Sequence, residues 1–259
     1  MIRCFRVITL LGLVLASSLA SVAVNVSNAV ANTATASAIS AACYVPPDLL
    51  PSVHLSRVKA VRKANEPLRI LVVGSGSTSG SSLGGADRAY PARLKQWLES
   101  RWGSAAVIVI TRAEANRTAE QITTQLSDWV QESRPQLIIW QTGTVDALRG
   151  VDLDAFGETL LRGMRISAAA GANVVLINAQ FGSAALRARP IEPYHQYMAQ
   201  IARAEDALLF RRYEIMQYWV DEGQLNISHT VRAEQLRAAE QVHNCIGQLL
   251  AETIDRGAR

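Results

Sequence analysis

The sequence has few cysteines, little surplus charge and no internal repeat, and each shortage excludes a class of protein. Of 259 residues only three are cysteines and four are histidines, and none lie at the spacing of a metal site. The net charge is +4 without a basic stripe, which argues against a nucleic-acid partner. No repeat or linker divides the chain after Leu68. We therefore expect one main domain with neither a metal nor a cofactor.

The only long apolar run lies at the N-terminus. Arg3 and Arg6 precede a nearly charge-free stretch over residues 7–24 that is rich in Leu, Val and Ala. This pattern is typical of a secretory signal peptide. We predict cleavage between Ala31 and Ala42, and hence a secreted or periplasmic protein. An uncleaved membrane anchor is the alternative, because the run approaches the roughly 17 to 25 residues that span a bilayer.

Composition divides the chain into three parts. A signal peptide and low-complexity leader covers residues 1–38, and a proline-containing segment over residues 39–67 is predicted to be an extended arm. Residues 68–259 alternate short apolar runs with amphipathic segments and have the length of one domain. Any contact with a membrane is expected only through the leader, if it stays uncleaved.

Two cysteines remain once the leader, with Cys4, is removed. In an oxidising compartment a lone pair of cysteines is most simply a disulfide, which predicts a bond between Cys43 and Cys245. The last helical pattern places Cys245 on its apolar face beside Val242 and Ile246, which suits this bond. A metal pair is the alternative, but no further His or Cys lies at ligand spacing.

Five short, continuous apolar runs are typical of buried parallel strands. They lie at Arg69–Val73, Ala106–Ile110, Gln136–Trp140, Asn173–Ile177 and Leu208–Phe210. Amphipathic helical patterns separate them. The alternation predicts an α/β fold in which a five-stranded parallel sheet has helices on both faces. Ligands bind such sheets at the carboxyl ends of the strands, so the loops there are the candidate site.

A loop of glycine and serine follows the first strand, within the segment ILVVGSGSTSG from Ile70. Gly74 and Gly76 begin a dinucleotide fingerprint, but Ser79 stands where its third glycine belongs, and the helix begins late. Residues 80–84 spell G-x-S-x-G, yet a nucleophile elbow must follow its strand directly. A third interpretation fits the segment best.

Three segments together resemble the SGNH (GDSL) hydrolase family. They are the G-x-x-x-T of Gly74 to Thr78, the YPARL stretch from Tyr90, and IIWQTGTVDALRG at the third strand. The order of helices and strands agrees from Leu68 to the last helix. The resemblance implies a three-layer flavodoxin-like sandwich, with Ser, His and Asp acting on esters of lipids or sugars. It also implies an oxyanion hole made by the serine's own amide, a glycine amide and an asparagine side chain.

Carried over residue by residue, the resemblance predicts a divergent member of that family. The family's serine falls on Gly76, and the acidic residue before it falls on Ser75. The asparagine after the third strand falls on Val145, which follows Gly143 and precedes Asp146. Glycine offers no nucleophile, so ester cleavage of the ordinary kind would need another hydroxyl.

The two remaining blocks differ as well. The glycine of the second block falls near Ala115 or Asn116, and the Asp-x-x-His of the last block is here Asn226 to His229. Only the histidine is retained. Replacing the orienting acid costs about 10⁴ in rate in a serine protease, and losing one oxyanion donor costs about 10² to 10³.

Two hypotheses for function follow. In the first, the protein is an exported ester hydrolase with an altered centre, in which Ser77 or Ser75 acts with His229. In the second, the same fold binds a glycan, lipid or protein partner without catalysis. The expected ligand is a small molecule or a glycan ester. Its pocket or oxyanion hole is expected to include Gly76, Asn116, Gly143, Val145, Asp146 and Asn226.

Structural roles are open for the same residues. Ser75 and Ser77 can satisfy backbone groups in a turn, as serines in such loops commonly do. His229 can be an exposed loop residue. Asp146 and Asp152 can stand in for the lost acids or cap the helix that begins near Asp154. His243, on the last helix, is expected at the surface or at a helix end.

Overall fold

The five apolar runs form the strands of one parallel sheet. A computed structural model describes residues 39–50, 54–182 and 188–259 of the protein. The strands are β1 (Leu68–Gly74), β2 (Val107–Ala113), β3 (Leu137–Gln141), β4 (Asn173–Ile177) and β5 (Leu208–Phe210). Their order in the sheet is β2-β1-β3-β4-β5. The predicted α/β class and the five parallel strands are confirmed.

Helices connect the strands and cover both faces of the sheet. In the described residues they are α1 (Ser56–Lys63), α2 (Gly76–Ser79), α3 (Tyr90–Trp102), α4 (Ala119–Ser133), α5 (Thr144–Arg149), α6 (Leu153–Ala169), α7 (Glu192–Ala204), α8 (Arg212–Asp221) and α9 (Arg232–Gly257). Short 3-10 turns occur at Ala41–Cys43, Pro47–Leu49 and Ala86–Arg88.

Alternate strand residues point to opposite faces of the sheet and build two apolar layers. In β1, Ile70 and Val72 belong to the cluster formed with α3 and α9. Leu71 and Val73 belong to the cluster formed with α4, α6 and α7. All four side chains are fully buried, which explains why β1 is a continuous apolar run rather than an alternating one.

The strand order creates a crevice at one edge of the sheet. From β1 the chain turns to β2 on one side, and β3 lies against β1 on the other side. At such a switch point the loops after neighbouring strands diverge and leave room for a ligand. The loops after β1, β2 and β3 therefore surround the site described below.

The segment before β1 is not the extended arm that we predicted. Residues 56–63 form helix α1 because the Asn173 side chain accepts hydrogen bonds from the free backbone N–H groups of Arg57 and Val58, at 2.9 and 3.2 Å. Val58 and Val61 are then buried in the core. The prolines in the neighbouring residues led us to predict an extended segment instead of this helix.

The disulfide between Cys43 and Cys245 is present and joins the start of the domain to α9. Both cysteines are buried in the apolar cluster. Beside them, Ser40 Oγ donates to Gln248 Oε1 at 3.0 Å, and Trp219 Nε1 donates to the Tyr44 carbonyl at 3.0 Å. These contacts attach the N-terminal segment to α9 and α8.

The predicted leader and its cleavage site lie outside the described residues. Within the described ranges, none of the helices is long and apolar enough to cross a membrane.

Removing the disulfide should lower the free energy of unfolding by about 3 to 5 kcal/mol. The bond closes a loop of 202 residues, and the chain-entropy model assigns a large effect to such a loop. The measurement is urea unfolding of the oxidised protein and of Cys43→Ser/Cys245→Ser. The mature, oxidised protein, which lacks Cys4, should also resist alkylation when it is unfolded without reduction. Alkylation of that protein, or equal stability of the two, would contradict the prediction.

Candidate active site

The glutamine at the end of β3 holds the loop that follows β1. Oε1 of Gln141 accepts hydrogen bonds from the Ser75 backbone N–H at 3.2 Å and from Thr78 Oγ1 at 3.0 Å. Thr78 Oγ1 lies 3.0 Å from Tyr90 Oη. Because Thr78 uses its proton for Gln141, the Tyr90 hydroxyl donates to Thr78. The chain of bonds links β1, β3 and the start of α3.

Close packing explains the first glycine of this loop. A Cβ at Gly74 would lie 2.1 Å from Thr78 Oγ1, which no rotation of a β-branched side chain in this turn relieves. Gly74 therefore allows Thr78 to turn back towards Gln141. Burial raises the pKa of the Tyr90 hydroxyl to about 12, so Tyr90 stays a neutral donor in this network.

A cavity of about 250 Å³ opens between the loops after β1, β2 and β3, and we call it the serine cavity. The predicted residues that line it are Ser75, Gly76, Ser77, Asn116 and Val145. Gly143 and Asp146 are not among its lining residues. The structure thus brings most of the predicted residues of the first three blocks together at the switch point.

Asn116 occupies the turn where the family resemblance predicts a glycine. Its φ is +65°, in the left-handed region that asparagine tolerates better than most side chains. Arg149 donates to its carbonyl at 2.9 Å and holds the turn in place. The conformation expected of the glycine is therefore kept by a residue that adds an amide side chain to the cavity.

Asp146 and Gly143 have structural roles beneath the cavity. Asp146 is buried, and its carboxylate accepts from the Ala119 N–H at 2.9 Å and from the Gly143 N–H at 3.2 Å. It thereby caps the start of α4 and closes the turn before α5. Burial raises the pKa of Asp146, and these N–H donors oppose that shift. The helix near Asp154 is capped instead by Asp152, which accepts from Ala155 N–H.

A buried arginine that the sequence analysis missed contacts the serine loop. Arg212 begins α8, directly after β5, and only 2% of its surface is exposed. Its Nη1 donates to Ser77 Oγ at 2.7 Å. Nε and Nη2 are buried and have no hydrogen-bond partner in the described residues. Burial lowers the pKa of Arg212 to about 10, which leaves it charged at neutral pH.

The retained histidine of the last block lines a different cavity. His229 and Asn226 lie on the wall of a cavity of about 530 Å³, which we call the histidine cavity. His229 Nδ1 lies 3.1 Å from Glu234 Oε2, and Asn226 Oδ1 accepts from Ser228 N–H. Among the described residues, neither Ser75 nor Ser77 forms a hydrogen bond with His229. Ser82 and Gln180 line both cavities, so the cavities are adjacent.

A second histidine is part of the framework instead. His243 is buried, not at the surface, and its Nδ1 accepts from the Tyr90 N–H at 3.0 Å. This bond satisfies the first free N–H of α3, so His243 does serve as a helix cap. Burial, followed by the charges of Arg212 and Arg93, lowers the pKa of His243 to about 4.

The residues missed from sequence carry weak local signals. Tyr90 begins the YPARL segment, and Gln141 lies in IIWQTGTVDALRG. Both segments carry the family resemblance, so they could have marked these two residues. Arg212 follows a three-residue strand in FRRYE, where nothing local distinguishes it from Arg211. In the part of the chain that the structure describes, no group of three His, Cys, Asp or Glu side chains could hold a metal ion.

Comparison with known proteins assigns both a family and a fold. The model of the Non-GDSL lipase-like family matches residues 42–259. No curated protein matches this chain. A lipolytic protein of the G-D-S-L family from Desulfitobacterium hafniense DCB-2 has a TM-score of 0.57 at 14% identity, over 71% of this chain and 98% of its own.

Two solved esterases have the same fold. A catalytic mutant of Axe2, an acetylxylan esterase from Geobacillus stearothermophilus, has a TM-score of 0.59 at 14% identity, over 73% of this chain and 96% of its own. The esterase EstA from Pseudoalteromonas sp. has a TM-score of 0.53 at 16% identity, over 70% and 97%. At these identities the likeness shows the fold alone. The resemblance to SGNH hydrolases inferred from sequence is confirmed.

Replacing Gln141 by Leu should lower the free energy of unfolding by about 1 to 3 kcal/mol. The change leaves the buried Ser75 N–H and the Thr78 hydroxyl without an acceptor. Gln131→Leu, on the exposed face of α4, is the matched control and should change stability by less than about 0.5 kcal/mol. Urea unfolding of both variants is the measurement. Equal effects would show that Gln141 does not organise the loop.

Acid should destabilise the protein through His243. Its folded pKa of about 4 lies below the ordinary value of 6.5, so its contribution is complete above pH 6.5 and is lost as the pH falls towards 4. The loss should reach about 3 kcal/mol. His243→Asn keeps an acceptor for Tyr90 and should remove this part of the pH dependence. The control His54→Asn, at an exposed position, should keep the wild-type profile of unfolding free energy.

Proposed function

Since the chain belongs to the Non-GDSL lipase-like family, we propose that it is an exported SGNH-fold protein that binds a glycan or lipid ester in the serine cavity without hydrolysing it at appreciable rate. The observation that carries this proposal is the partner of Ser77. Its Oγ accepts a hydrogen bond from Arg212, and no described base accepts its proton.

Ester hydrolysis by a serine requires a base that removes the hydroxyl proton. An arginine is always a donor and cannot serve as that base. Ser75 is 95% buried, and its N–H is bound to Gln141, which fixes the loop around it. His229 lines the neighbouring cavity, where its Nδ1 lies 3.1 Å from Glu234 Oε2. This contact leaves Nε2 available as a base, but neither Ser75 nor Ser77 forms a hydrogen bond with His229 in the described structure. None of these arrangements assembles a nucleophile with its base.

The position of the family's serine supports the same conclusion. Gly76 lines the serine cavity at the start of α2, where the resemblance places the nucleophile. Val145, where the resemblance places an asparagine, adds an apolar wall to the cavity and no donor. Asn116 is the nearest replacement, because its amide lies on the same cavity. The cavity is therefore equipped to bind a polar group more than to stabilise a tetrahedral oxyanion.

Export is supported by two independent features of the chain. The apolar run after Arg3 and Arg6 has the pattern of a signal peptide. The Cys43–Cys245 bond is of the kind that persists in oxidising compartments. We therefore place the mature protein outside the cytoplasm, in the periplasm or the medium.

One observation favours a second candidate function, a slow esterase with an altered centre. A guanidinium 2.7 Å from Ser77 Oγ would stabilise the alkoxide of that serine. Ser82 and Gln180 separate the serine cavity from His229, so a shift of the loop could bring base and hydroxyl closer. In this candidate Ser77 is the nucleophile and His229 the base.

Turnover of short-chain p-nitrophenyl esters and acetylated xylo-oligosaccharides separates the two candidates. We expect the mature, oxidised protein to match the uncatalysed rate, and Ser75→Ala, Ser77→Ala and His229→Ala to match it too. Acetylated oligosaccharides should nevertheless raise the melting temperature, because a ligand that binds only the folded state stabilises it. Turnover that is abolished by Ser77→Ala and by His229→Ala would establish the esterase instead.

A gain of function provides the positive control. Gly76→Ser returns a hydroxyl to the position of the family's serine, and a Cβ there would come within 3.1 Å only of Ser81 Oγ, the end of a flexible side chain. Combined with Asn226→Asp, it should raise hydrolysis above the wild-type rate. The matched control is Gly76→Ala, again combined with Asn226→Asp, which adds the same Cβ without a hydroxyl and should not exceed the wild-type rate.

A further inference from the structure

We propose that the ligand of the serine cavity carries a carboxylate and that the guanidinium of Arg212 binds it, so that the natural ligand is an acidic sugar ester or a comparable carboxylic acid. The proposal rests on the proposed function, because it names the chemical class of the ligand of that same cavity. It is carried by a charge that is buried at the cavity without a counter-ion.

The isolation of this charge is unusual. Burying a cation costs several kcal/mol unless an anion or hydrogen-bond acceptors compensate it. Ser77 Oγ compensates Nη1, but Nε and Nη2 have no acceptor among the described residues. Tyr90 is the acidic group whose charge would raise the pKa of Arg212, and it is neutral because burial raises its own pKa to about 12. An anionic ligand would supply the missing partner.

The cleft around Arg212 contains cations but no carboxylate on its described walls. The residues that line the serine cavity include Arg212 and no Asp or Glu. The histidine cavity adds Arg232, whose Nη2 reaches the Ser82 carbonyl at the boundary of the two cavities, and again no Asp or Glu. A negative ligand is therefore attracted to the serine cavity beside Arg212. In the histidine cavity Glu234, which lies behind the lining residue His229, offsets part of the positive charge.

The free edge of the guanidinium suits a carboxylate. The N–H groups of Nε and of one terminal nitrogen are parallel, and a planar carboxylate accepts both with two oxygens. Thr144 adds a buried hydroxyl without a described partner to the same cavity wall. The lining also includes the hydroxyl and amide groups of Ser81, Ser82 and Asn116, which suit the hydroxyls of a sugar, beside the apolar side chains of Ala115, Val145 and Leu148.

A small inner cavity shows where the carboxylate would reach Arg212. It has a volume of about 10 Å³ and is lined by Ser77, Tyr90, Gln180, Arg212, Met216, Val242, His243 and Ile246. This is room for one water molecule. Gln180 lines the inner, serine and histidine cavities. Gln180 therefore stands between this inner cavity and the two larger ones, and we infer that its side chain rotates to let a carboxylate reach the guanidinium.

Calorimetric titration compares ligands that differ only in charge. The expected result is that glucuronate binds at least about tenfold more tightly than its methyl ester, a difference of about 1.4 kcal/mol. Phosphate and sulfate, at matched ionic strength, should bind more weakly than glucuronate, because they lack the sugar hydroxyls and carry more charge than one arginine offsets. Equal affinity for glucuronate and its methyl ester, or stronger binding of phosphate or sulfate, would overturn the proposal.

Two variants assign the effect to one side chain. Arg212→Met should reduce the preference for glucuronate to less than about twofold, whereas Arg211→Met, which removes a neighbouring charge paired with Glu214 outside the cavity, should keep it. A preference that survives in Arg212→Met would overturn the assignment. If Arg212→Met does not fold, a measurement on the wild-type protein tests the assignment to Arg212 instead. When glucuronate is added, the NMR resonance of the Arg212 Nε–H should shift, and the dissociation constant obtained from that shift should equal the calorimetric one. A resonance that does not move would overturn the proposal.

The two proposals fail in different ways. Binding of neutral acetylated oligosaccharides without any preference for the carboxylate removes this inference and leaves the proposed function intact. Hydrolysis of esters that depends on Ser77 and His229 removes the proposed function, and the carboxylate preference is then tested unchanged on the Ser77→Ala protein, which keeps Arg212 in place.

Discussion

One amide oxygen, Oε1 of Gln141, connects the two strands between which the site forms. It accepts from the Ser75 backbone and from the Thr78 hydroxyl, and Thr78 in turn accepts from Tyr90. Parallel strands share their carboxyl edge, so an acceptor at the end of β3 can receive donors from the loop after β1. The position of Ser75, Gly76 and Ser77 relative to the cavity depends on that single acceptor.

The second determinant of the site is the charge of Arg212, which the fold buries away from solvent. Arg212 is placed by β5 and α8, on the far side of the sheet order from β1, and reaches the serine loop only in the folded molecule. Burying a guanidinium is costly when two of its nitrogens have no acceptor among the described residues, as in Arg212. Such a group is more readily understood as part of a binding site than as a contribution to stability.

The fold and the chemistry of the site are separable in this protein. The two apolar layers use strand residues such as Ile70 and Leu71, and of the residues that line the serine cavity only Leu148 packs against one of them. The departures from the family pattern that we propose at Gly76, Val145 and Asn226 therefore leave the architecture of the family intact. The same scaffold can exchange catalysis for binding because the residues that hold it together are not those that face the ligand.

The sequence by itself determined the parallel strands, the layered architecture, the family and the pairing of Cys43 with Cys245. These features follow from local apolar patterns and from the small number of cysteines, which can be read residue by residue. It did not reveal α1, because the cap that stabilises that helix is Asn173, more than a hundred residues away. It also left the partner of Ser77 unknown.

Tertiary structure alone decided which polar groups meet. It separated His229 from the serine loop, turned Asp146 into a cap for α4, buried His243 beneath Tyr90 and placed Arg212 against Ser77. The physical reason is that hydrogen bonds and buried charges between distant segments depend on the angles of packed helices and strands. A periodic pattern of apolar residues determines which face is buried, but not which distant side chain will lie against it.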